Sequence, residues 1–397
     1  MKYASVIPLI GGETLAMEAV FGKRPEYMLS YSPFANNDQH IVKYYKDEVP
    51  YILLDQTDSY KHKKVDVINT VCPCAGLSSL SHHSSSDSPT NDWMVKTTKM
   101  VLEEIQPKVF WGENAPRLAS KMGEPIIKKL RKIASDNGYT MMLYKTKSLL
   151  HGLSQVRDRT FYFFFKGDRI PVFPFISRPH SKIEDDIRAV KRDKSDPMSE
   201  LGSKKKPSDD PFYTFVLEKM EGGISHKKFV KKIDKSTNAM WYIEAAGISY
   251  SEVAEWFKAN GVKQNWIDKC YRIDKKLKTG KGIMRKLTEL PKDYIGAFVG
   301  HYPICLAHPD EDRYLTIREC LSLMKMPDDF ILQGGSRNLN HICQNVPVTT
   351  AKDMAQAVKD YLEGKLDTIT APFAIIDNKS QSIDSEVQLE SLEKHLK

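Results

Sequence analysis

Asp66-Val67-Ile68-Asn69-Thr70-Val71-Cys72-Pro73-Cys74-Ala75-Gly76-Leu77-Ser78-Ser79-Leu80-Ser81 is the stretch from which the fold is read. Val65, Val67, Ile68 and Val71 are β-branched and suit a pleated surface, and the run stops where Pro73 removes a backbone donor. This pattern predicts a buried strand that ends in a loop presenting Cys74. Open α/β sheets place ligands beyond the carboxyl ends of their strands, where a deprotonated thiol can attack electron-poor carbon. A buried structural thiol is the competing reading, because cysteine is among the most buried residue types.

The neighbouring segments repeat the alternation of strand and helix. Upstream, the apolar run Val6-Ile7-Pro8-Leu9-Ile10 meets Gly11-Gly12, and Leu15, Ala16, Val20 and Phe21 then recur at helical spacing. Paired glycines let a backbone approach a ligand at a helix N-terminus, whose dipole favours anionic groups. Residues 27–31 and 51–55 read as further strands, the second ending in the carboxylate of Asp55. Downstream, residues 77–92 hold seven serines with His82, His83 and Asp87, a polar loop read as a lid beside the thiol. Metal binding by the two histidines is the alternative, with no third ligand near in sequence.

A helix over 94–106 stopped by Pro107 precedes Val109-Phe110-Trp111, a buried strand that runs into Gly112-Glu113-Asn114-Ala115-Pro116. Glu113 therefore stands at the end of the strand that follows the cysteine strand, where an acid/base role is chemically reasonable. Ile126, Ile127, Leu130 and Ile133 mark a helix ended near Asn137-Gly138, and 139–144 is another strand. His151-Gly152-Leu153-Ser154-Gln155-Val156-Arg157-Asp158-Arg159 leads into an aromatic strand over 160–165. Strand alternation would put Gln155, Arg157 and Arg159 on one side, two guanidiniums suited to phosphate or a polarised carbonyl.

At 397 residues, 41% hydrophobic and 28% charged, the chain has the composition of a soluble globular protein and room for two domains. No apolar run approaches the roughly 20 residues of a membrane helix, and the first residues read as a strand, so a cytoplasmic protein is expected. The six cysteines are thinly spread, without the paired spacing of a zinc site or the density of a disulfide framework, so no metal is expected. The net charge is +8, and between Ser181 and Gly300 there are 25 Lys and Arg against 18 Asp and Glu. An excess this local is the footprint of phosphate binding, with a solvated basic face as the alternative. Lys204-Lys205-Lys206 sits in a linker-like stretch, and Lys275, Lys276 and Lys278 cluster further on. Residues 249–260 and 262–271 have helical spacing around Gly261, as in a helix-turn-helix or an ordinary packed helix pair. Thr316 and Glu319 form a capping box for a helix to Lys325, another helix covers 350–362, and the polar stretch from Asp377 is expected to be partly disordered.

Taken in order, these pieces resemble the DNA (cytosine-5) methyltransferases from Gly11 to about Leu362. Pro73-Cys74 is similar to that family's nucleophile motif, Glu113-Asn114-Ala115 to its Glu-Asn-Val motif, and Gln155-Val156-Arg157-Asp158-Arg159 to its Gln-x-Arg-x-Arg pattern. The segment from Arg313 to Glu319, with Pro327-Asp328-Asp329-Phe330, resembles the motif after the target-recognition domain, and Asn345-Val346-Pro347 part of the last motif. The departures lie on the cofactor side: Ile7 and Leu9 where the family has Phe and Gly, no acid at Ser30 or Tyr31, and Cys343-Gln344 in place of Gly-Asn.

The resemblance implies an α/β fold, a Rossmann-like, mostly parallel sheet of the class I methyltransferase type with a smaller basic DNA-recognition domain. The corresponding segments are 1–178 catalytic, 179–305 target recognition, 306–370 a return to the catalytic domain, and 371–397 a polar, partly disordered tail. It implies Cys74 as nucleophile toward cytosine C6, Glu113 as the acid at N3, and Arg157 and Arg159 at the base oxygen and bracing the loop. S-adenosylmethionine is the implied methyl donor, against Gly11, Gly12, Asp55, Pro73 and Asn345. Double-stranded DNA is the implied partner of a monomeric enzyme, met by Gln155, Ser78 and the lysines at 204–206, 275, 276 and 278. Two other readings remain: the same attack on cytosine with a different donor, and a weakly active DNA-binding relative.

Overall fold

The structure is a computed structural model and describes residues 1–57, 63–73, 76–78, 85–283, 285 and 288–385. Cys74, the His82-His83 pair and residues 386–397 lie outside the described residues. The chain divides into two compact units, one of Met1–His180, Met324–Met326 and Asn345–Lys397, the other of Ser181–Leu323 and Pro327–Gln344.

The strands of the first half are β1 (Tyr3–Val6), β2 (Met28–Ser30), β3 (Tyr51–Leu53), β4 (Val67–Thr70), β5 (Val109–Asn114), β6 (Tyr139–Lys147), β7 (Asp158–Lys166) and β8 (Arg169–Pro171). They are followed by β9 (Thr237–Asn238), β10 (Glu289–Leu290), β11 (Thr368–Thr370), β12 (Phe373–Asp377) and β13 (Ser382–Ser385). The main sheet of the first unit has the order β13-β12-β6-β7-β5-β4-β1-β2-β3. Strands β3, β2, β1, β4 and β5 run parallel, while β7 is antiparallel to both β5 and β6. The α/β class and the mostly parallel sheet agree with the sequence expectation.

The centre of the sheet is buried on both faces, which is why Val109-Phe110-Trp111 of β5 and Phe161 to Phe165 of β7 read as continuous apolar runs. Phe161 to Phe165 of β7 are fully buried; Phe164 stacks on Phe110 at 5.6 Å and Phe163 on Trp111 at 5.8 Å. Helices α1 (Gly12–Phe21), α2 (Ala35–Tyr44), α3 (Asp92–Met100) and α4 (Glu124–Asp136) flank it. Because β2 and β4 lie on opposite sides of β1, the carboxyl ends of β1 and β4 form the switch point where such sheets open a crevice.

Two boundaries differ from the sequence reading. Residues 306–323 and 327–344 belong to the second unit, so the chain returns to the first unit at Asn345 rather than at 306, apart from Met324–Met326. The Arg313 guanidinium holds Glu319 at 2.9 and 2.8 Å within the segment, and it is Arg318, holding Asp196 at 2.8 and 3.0 Å, that ties the capping-box helix Ile317–Leu323 into that unit. Second, residues 373–385 are not a disordered tail: β12 pairs with β6, and β13 with β12. Ala374 and Ile376 are the buried face of the short apolar run Phe373-Ala374-Ile375-Ile376, which gives way to polar residues at Asp377.

The second unit is largely helical. Phe212, Phe215, Val253, Phe257, Ile267, Cys270 and Ile273 share its core, and β9 pairs with β10 in a two-stranded ribbon.

Candidate active site

Glu113 and Asn114 end β5, and both are buried. The register sets Glu113 opposite Phe161 of β7, so Arg159, two residues earlier on the same face, is its diagonal neighbour. Arg159 Nε lies 3.0 Å from Glu113 Oε2. The two atoms are not aligned as a hydrogen bond, so the pair is electrostatic and the carboxylate oxygen keeps its accepting capacity. Asn114 points the other way. Its Oδ1 takes the Ala115 N–H at 2.9 Å and its Nδ2 donates to the Pro73 carbonyl at 3.5 Å, which tethers the residue before Cys74 to the end of β5.

The loop beyond is anchored from two sides. Arg117 donates to the Ser78 carbonyl at 3.4 Å, and the Ser85 N–H donates to the Gly76 carbonyl at 3.0 Å. A Cβ on Gly76 would meet Asn91 Oδ1 at 2.3 Å, so a larger residue there would displace the Asn91 side chain. Cys72 is buried with its sulfur 3.5 Å from Thr70 Oγ1, and burial pushes its thiol up.

The Gln-x-Arg-x-Arg segment is only partly a strand. β7 begins at Asp158, so Gln155 and Arg157 lie in the preceding loop and the alternation expected from sequence holds for Arg159 alone. Both earlier side chains are buried, Gln155 donating to Met324 Sδ at 3.6 Å. His151 positions this loop: its Nδ1 is 2.7 Å from Asp353 and its Nε2 2.8 Å from Thr146 Oγ1, while Arg178 clasps Asp353 at 3.0 and 2.7 Å.

On the other side of the switch point, the turn after β1 is left-handed at Ile7 and Leu9, both at φ 50, and at Gly11 at φ 96. Leu9 thus occupies a conformation that favours glycine. Its N–H donates at 2.9 Å to Asp38 of α2, which also accepts from Tyr51 OH at 2.7 Å. Burial pushes the Asp38 carboxyl up to about 7, against the hydrogen bonds of Ser30, Tyr51 and Leu9. Ser30, at the end of β2, carries no charge of its own. Asp55 is exposed and accepts the Ser32 N–H at 2.9 and 3.1 Å; burial acts against it, but the Ser32 hydrogen bonds hold it below the usual range. Tyr31, Phe34 and Trp93 form an aromatic group beside it, with Trp93 4.9 Å from Tyr31 and 5.0 Å from Phe34. Gly12 donates to Asn345 Oδ1 at 2.9 Å.

The sequence profile of the C-5 cytosine-specific DNA methylases matches residues 1–360. The chain belongs to that family. As a member it is a transferase, a DNA cytosine-5 methyltransferase. Among its relatives, the provisionally named type II methyltransferase M.MjaORF1200P of Methanocaldococcus jannaschii is 27% identical over 311 residues, which cover 76% of this chain and 68% of the relative. Type II methyltransferase M.MthTI of Methanothermobacter thermautotrophicus is 23% identical over 297 residues, 74% of this chain and 78% of that protein. Two solved structures share the fold. A prophage-encoded E. coli protein, provisionally titled a DNA modification methyltransferase, has a TM-score of 0.55 at 16% identity, covering 91% of this chain and 99% of its own. The Entamoeba histolytica methyltransferase EhMeth has a TM-score of 0.52 at 13% identity, covering 91% and 98%.

Within this cytosine-5 methyltransferase, sequence reasoning missed four buried ionisable groups: Glu13, Asp38, His151 and Asp353. Glu13 of α1 is fully buried, with Asn69 Nδ2 3.5 Å from Oε2; burial, and then the nearby Glu113 charge, raise its carboxyl well above the usual range. An acid directly after Gly11-Gly12 was a readable signal. Asp38 and the His151–Asp353 pair had none, since each acts through contacts made only in the folded chain. In the second unit, Lys204, Lys205 and Lys206 are exposed, beside a turn closed by the Lys206 N–H on Asp209 at 2.8 Å. Lys275, Lys276 and Lys278 are exposed on the helix Gln264–Lys278, and Lys278 pairs with Asp274 at 2.7 Å. Among the described residues, no three His, Cys, Asp or Glu side chains group as metal ligands, and no helix is long and apolar enough to cross a membrane.

Proposed function

We propose that the protein methylates C5 of cytosine in double-stranded DNA through a covalent adduct between Cys74 and C6. The observation that carries this reading is the end of β5, where Glu113 is buried against Arg159 while its neighbour Asn114 tethers the Pro73 carbonyl next to Cys74. Cytosine C5 is a poor nucleophile until a thiolate adds at C6, forming the C–S bond and moving the electron pair toward N3 and O2. Glu113 supplies or shares a proton at N3 as that charge develops, and Arg157 and Arg159 stabilise the oxygen. C5, now enamine-like, takes the methyl group; loss of the C5 proton to a base then expels the thiolate and restores the ring. The target base must leave the stack to meet these groups.

S-adenosylmethionine, when bound, supplies an electrophilic methyl group. The residues suited to hold it are the left-handed turn to Gly11 and Gly12, the exposed carboxylate of Asp55, and the Tyr31 and Trp93 rings. The absence of an acid at Ser30, with Asp38 buried behind it, favours a second reading in which a different donor serves the same chemistry. Mass spectrometry of nucleosides from cells expressing the protein separates the two: 5-methylcytosine supports the first, another C5 adduct the second, and unmodified cytosine refutes both.

A further inference from the structure

The second unit contains two helices joined by a short turn. Helix Tyr250–Ala259 opens with a capping box in which Glu252 accepts the Ser249 N–H at 2.8 Å and Ser249 Oγ accepts the Glu252 N–H at 3.2 Å. Gly261 at φ 66 ends it, the Val262 N–H donates back to the Phe257 carbonyl at 2.9 Å, and helix Gln264–Lys278 begins two residues later. Val253, Ala254 and Phe257 of the first helix and Ile267, Cys270 and Ile273 of the second are buried in one core.

That packing decides which side of the second helix is outward. Gln264, Asn265, Asp268, Arg272, Lys275 and Lys276 are exposed, at helical spacing along one stripe. The stripe is ordered by charge: neutral amides and one acid fill its first two turns, and cations flank them, with Lys263 before and Arg272, Lys275 and Lys276 after. Between Ser249 and Lys281 there are 8 Lys and Arg against 4 Asp and Glu. Lys258 and Lys278 are neutralised by Glu255 and Asp274. Lys263, Arg272, Lys275 and Lys276 have no carboxylate at ion-pair distance among the described residues. A face that met only phosphates would need no amides at its centre. Amides that pair in two places with adenine, an acid that accepts from cytosine N4 and an arginine that pairs with guanine are the groups that read base edges in the major groove.

We propose that helix Gln264–Lys278 is a sequence-reading helix that enters the major groove, with Gln264, Asn265, Asp268 and Arg272 toward base edges and Lys263, Lys275 and Lys276 on phosphates. Gln264 Nε2 donates to Asp268 Oδ1 at 2.8 Å, which pre-orients both side chains. The inference rests on the protein acting on duplex DNA, as proposed above, but its test does not depend on methylation.

The test is selection of bound sequences from a random duplex pool by the full-length chain carrying Cys74→Ser, repeated with Gln264→Ala, Asn265→Ala and Arg272→Ala and with the pair Lys275→Ala and Lys276→Ala. All five positions are exposed, so folding is not at stake. The expected result is that each of the first three relaxes preference at one or two base positions by about 5- to 100-fold, while the lysine pair weakens all sequences alike. Selection of the same sequence by all variants, uniform weakening by all of them, or no enriched sequence for the parent would each overturn the proposal. Failure of the methylation reading would show separately, as wild type that selects a sequence but leaves its cytosines unmodified.

Discussion

The N–H of Gly12 donates to Asn345 Oδ1 at 2.9 Å across 333 positions of sequence. The contact brings the last motif of the chain onto the first residue of α1, and the approach is so close that a Cβ on Gly12 would meet the Val346 carbonyl at 2.1 Å. Glycine is needed here for space. Asn345→Ala should leave a buried N–H unpaired and cost about 1–3 kcal/mol in urea unfolding. Gly12→Ala should cost at least as much, because backbone rather than a side-chain tip must shift. Both should raise the KM for the methyl donor more than that for DNA. Stability equal to wild type in Gly12→Ala would show that the Asn345 segment does not pack on α1.

Cys72 and Cys74 differ in what each can do chemically. The Cys72 thiol is buried and pushed up, the opposite of what a nucleophile requires. DNA containing 5-fluorocytosine should trap a covalent complex with wild type and with Cys72→Ala, but not with Cys74→Ala, as judged by denaturing gels. Trapping by Cys74→Ala would refute the assignment.

Glu113 and Arg159 should act as a unit. Glu113→Gln keeps the shape of the side chain and cannot deliver a proton, so kcat should fall about 10²- to 10⁴-fold with little change in the affinity for DNA. Arg159→Lys retains a charge without the planar fork and should lose less than Arg159→Ala. Single-turnover rates decide the matter; a loss confined to KM in Glu113→Gln would make it a binding residue.

How far the site was legible depends on where its contacts come from. Glu113 was readable because a buried run, Val109-Phe110-Trp111, ends beside it, and strand ends are where such sheets do chemistry. The partnership with Arg159 needed the β5–β7 register, which no local pattern encodes. Asp38 reaches Leu9 across 29 positions and His151 reaches Asp353 across 202, so both were invisible until the chain folded. The return to the first unit was misplaced at 306 because the motif around Arg313 has ordinary composition, and the pair that ties it to the second unit, Arg318 with Asp196, spans 122 positions. Strand β13 was missed because it is the edge of the sheet and carries polar residues, which reads locally as disorder, while β12, one place inward, offers only the short apolar run Phe373 to Ile376.

The basic stretch of the second unit makes a further claim, on salt. Neutralising Lys204, Lys205 and Lys206, all exposed, should flatten the log–log dependence of duplex binding on salt by about 0.9 for each phosphate that a lysine no longer neutralises. An unchanged slope would make that cluster a solvated face.

Asp38 gives a prediction for pH. Its carboxyl belongs near 3.8 when solvated and is pushed up to about 7 by burial, so the folded state holds a proton that the unfolded chain has released. The stability associated with that proton is complete below about pH 3.8 and is lost as pH rises through 7, a change of up to about 4 kcal/mol. Asp38→Asn still accepts the Leu9 N–H through its oxygen, and the Tyr51 hydroxyl turns from donor to acceptor. The variant should therefore match wild type near pH 4 and exceed it in Tm by pH 8. Glu13 also has a raised carboxyl, so the quantity to follow is the difference between variant and wild type at each pH, in which its contribution cancels. A difference that stays constant from pH 4 to 8 would mean that Asp38 does not hold its proton in the fold, and that the turn bearing Leu9 is met by a charged carboxylate. In that case Ser30→Glu would add a second charge beside the first and should weaken donor binding in calorimetry. With Asp38 neutral, Ser30→Glu should instead supply the missing ribose-binding acid and tighten it.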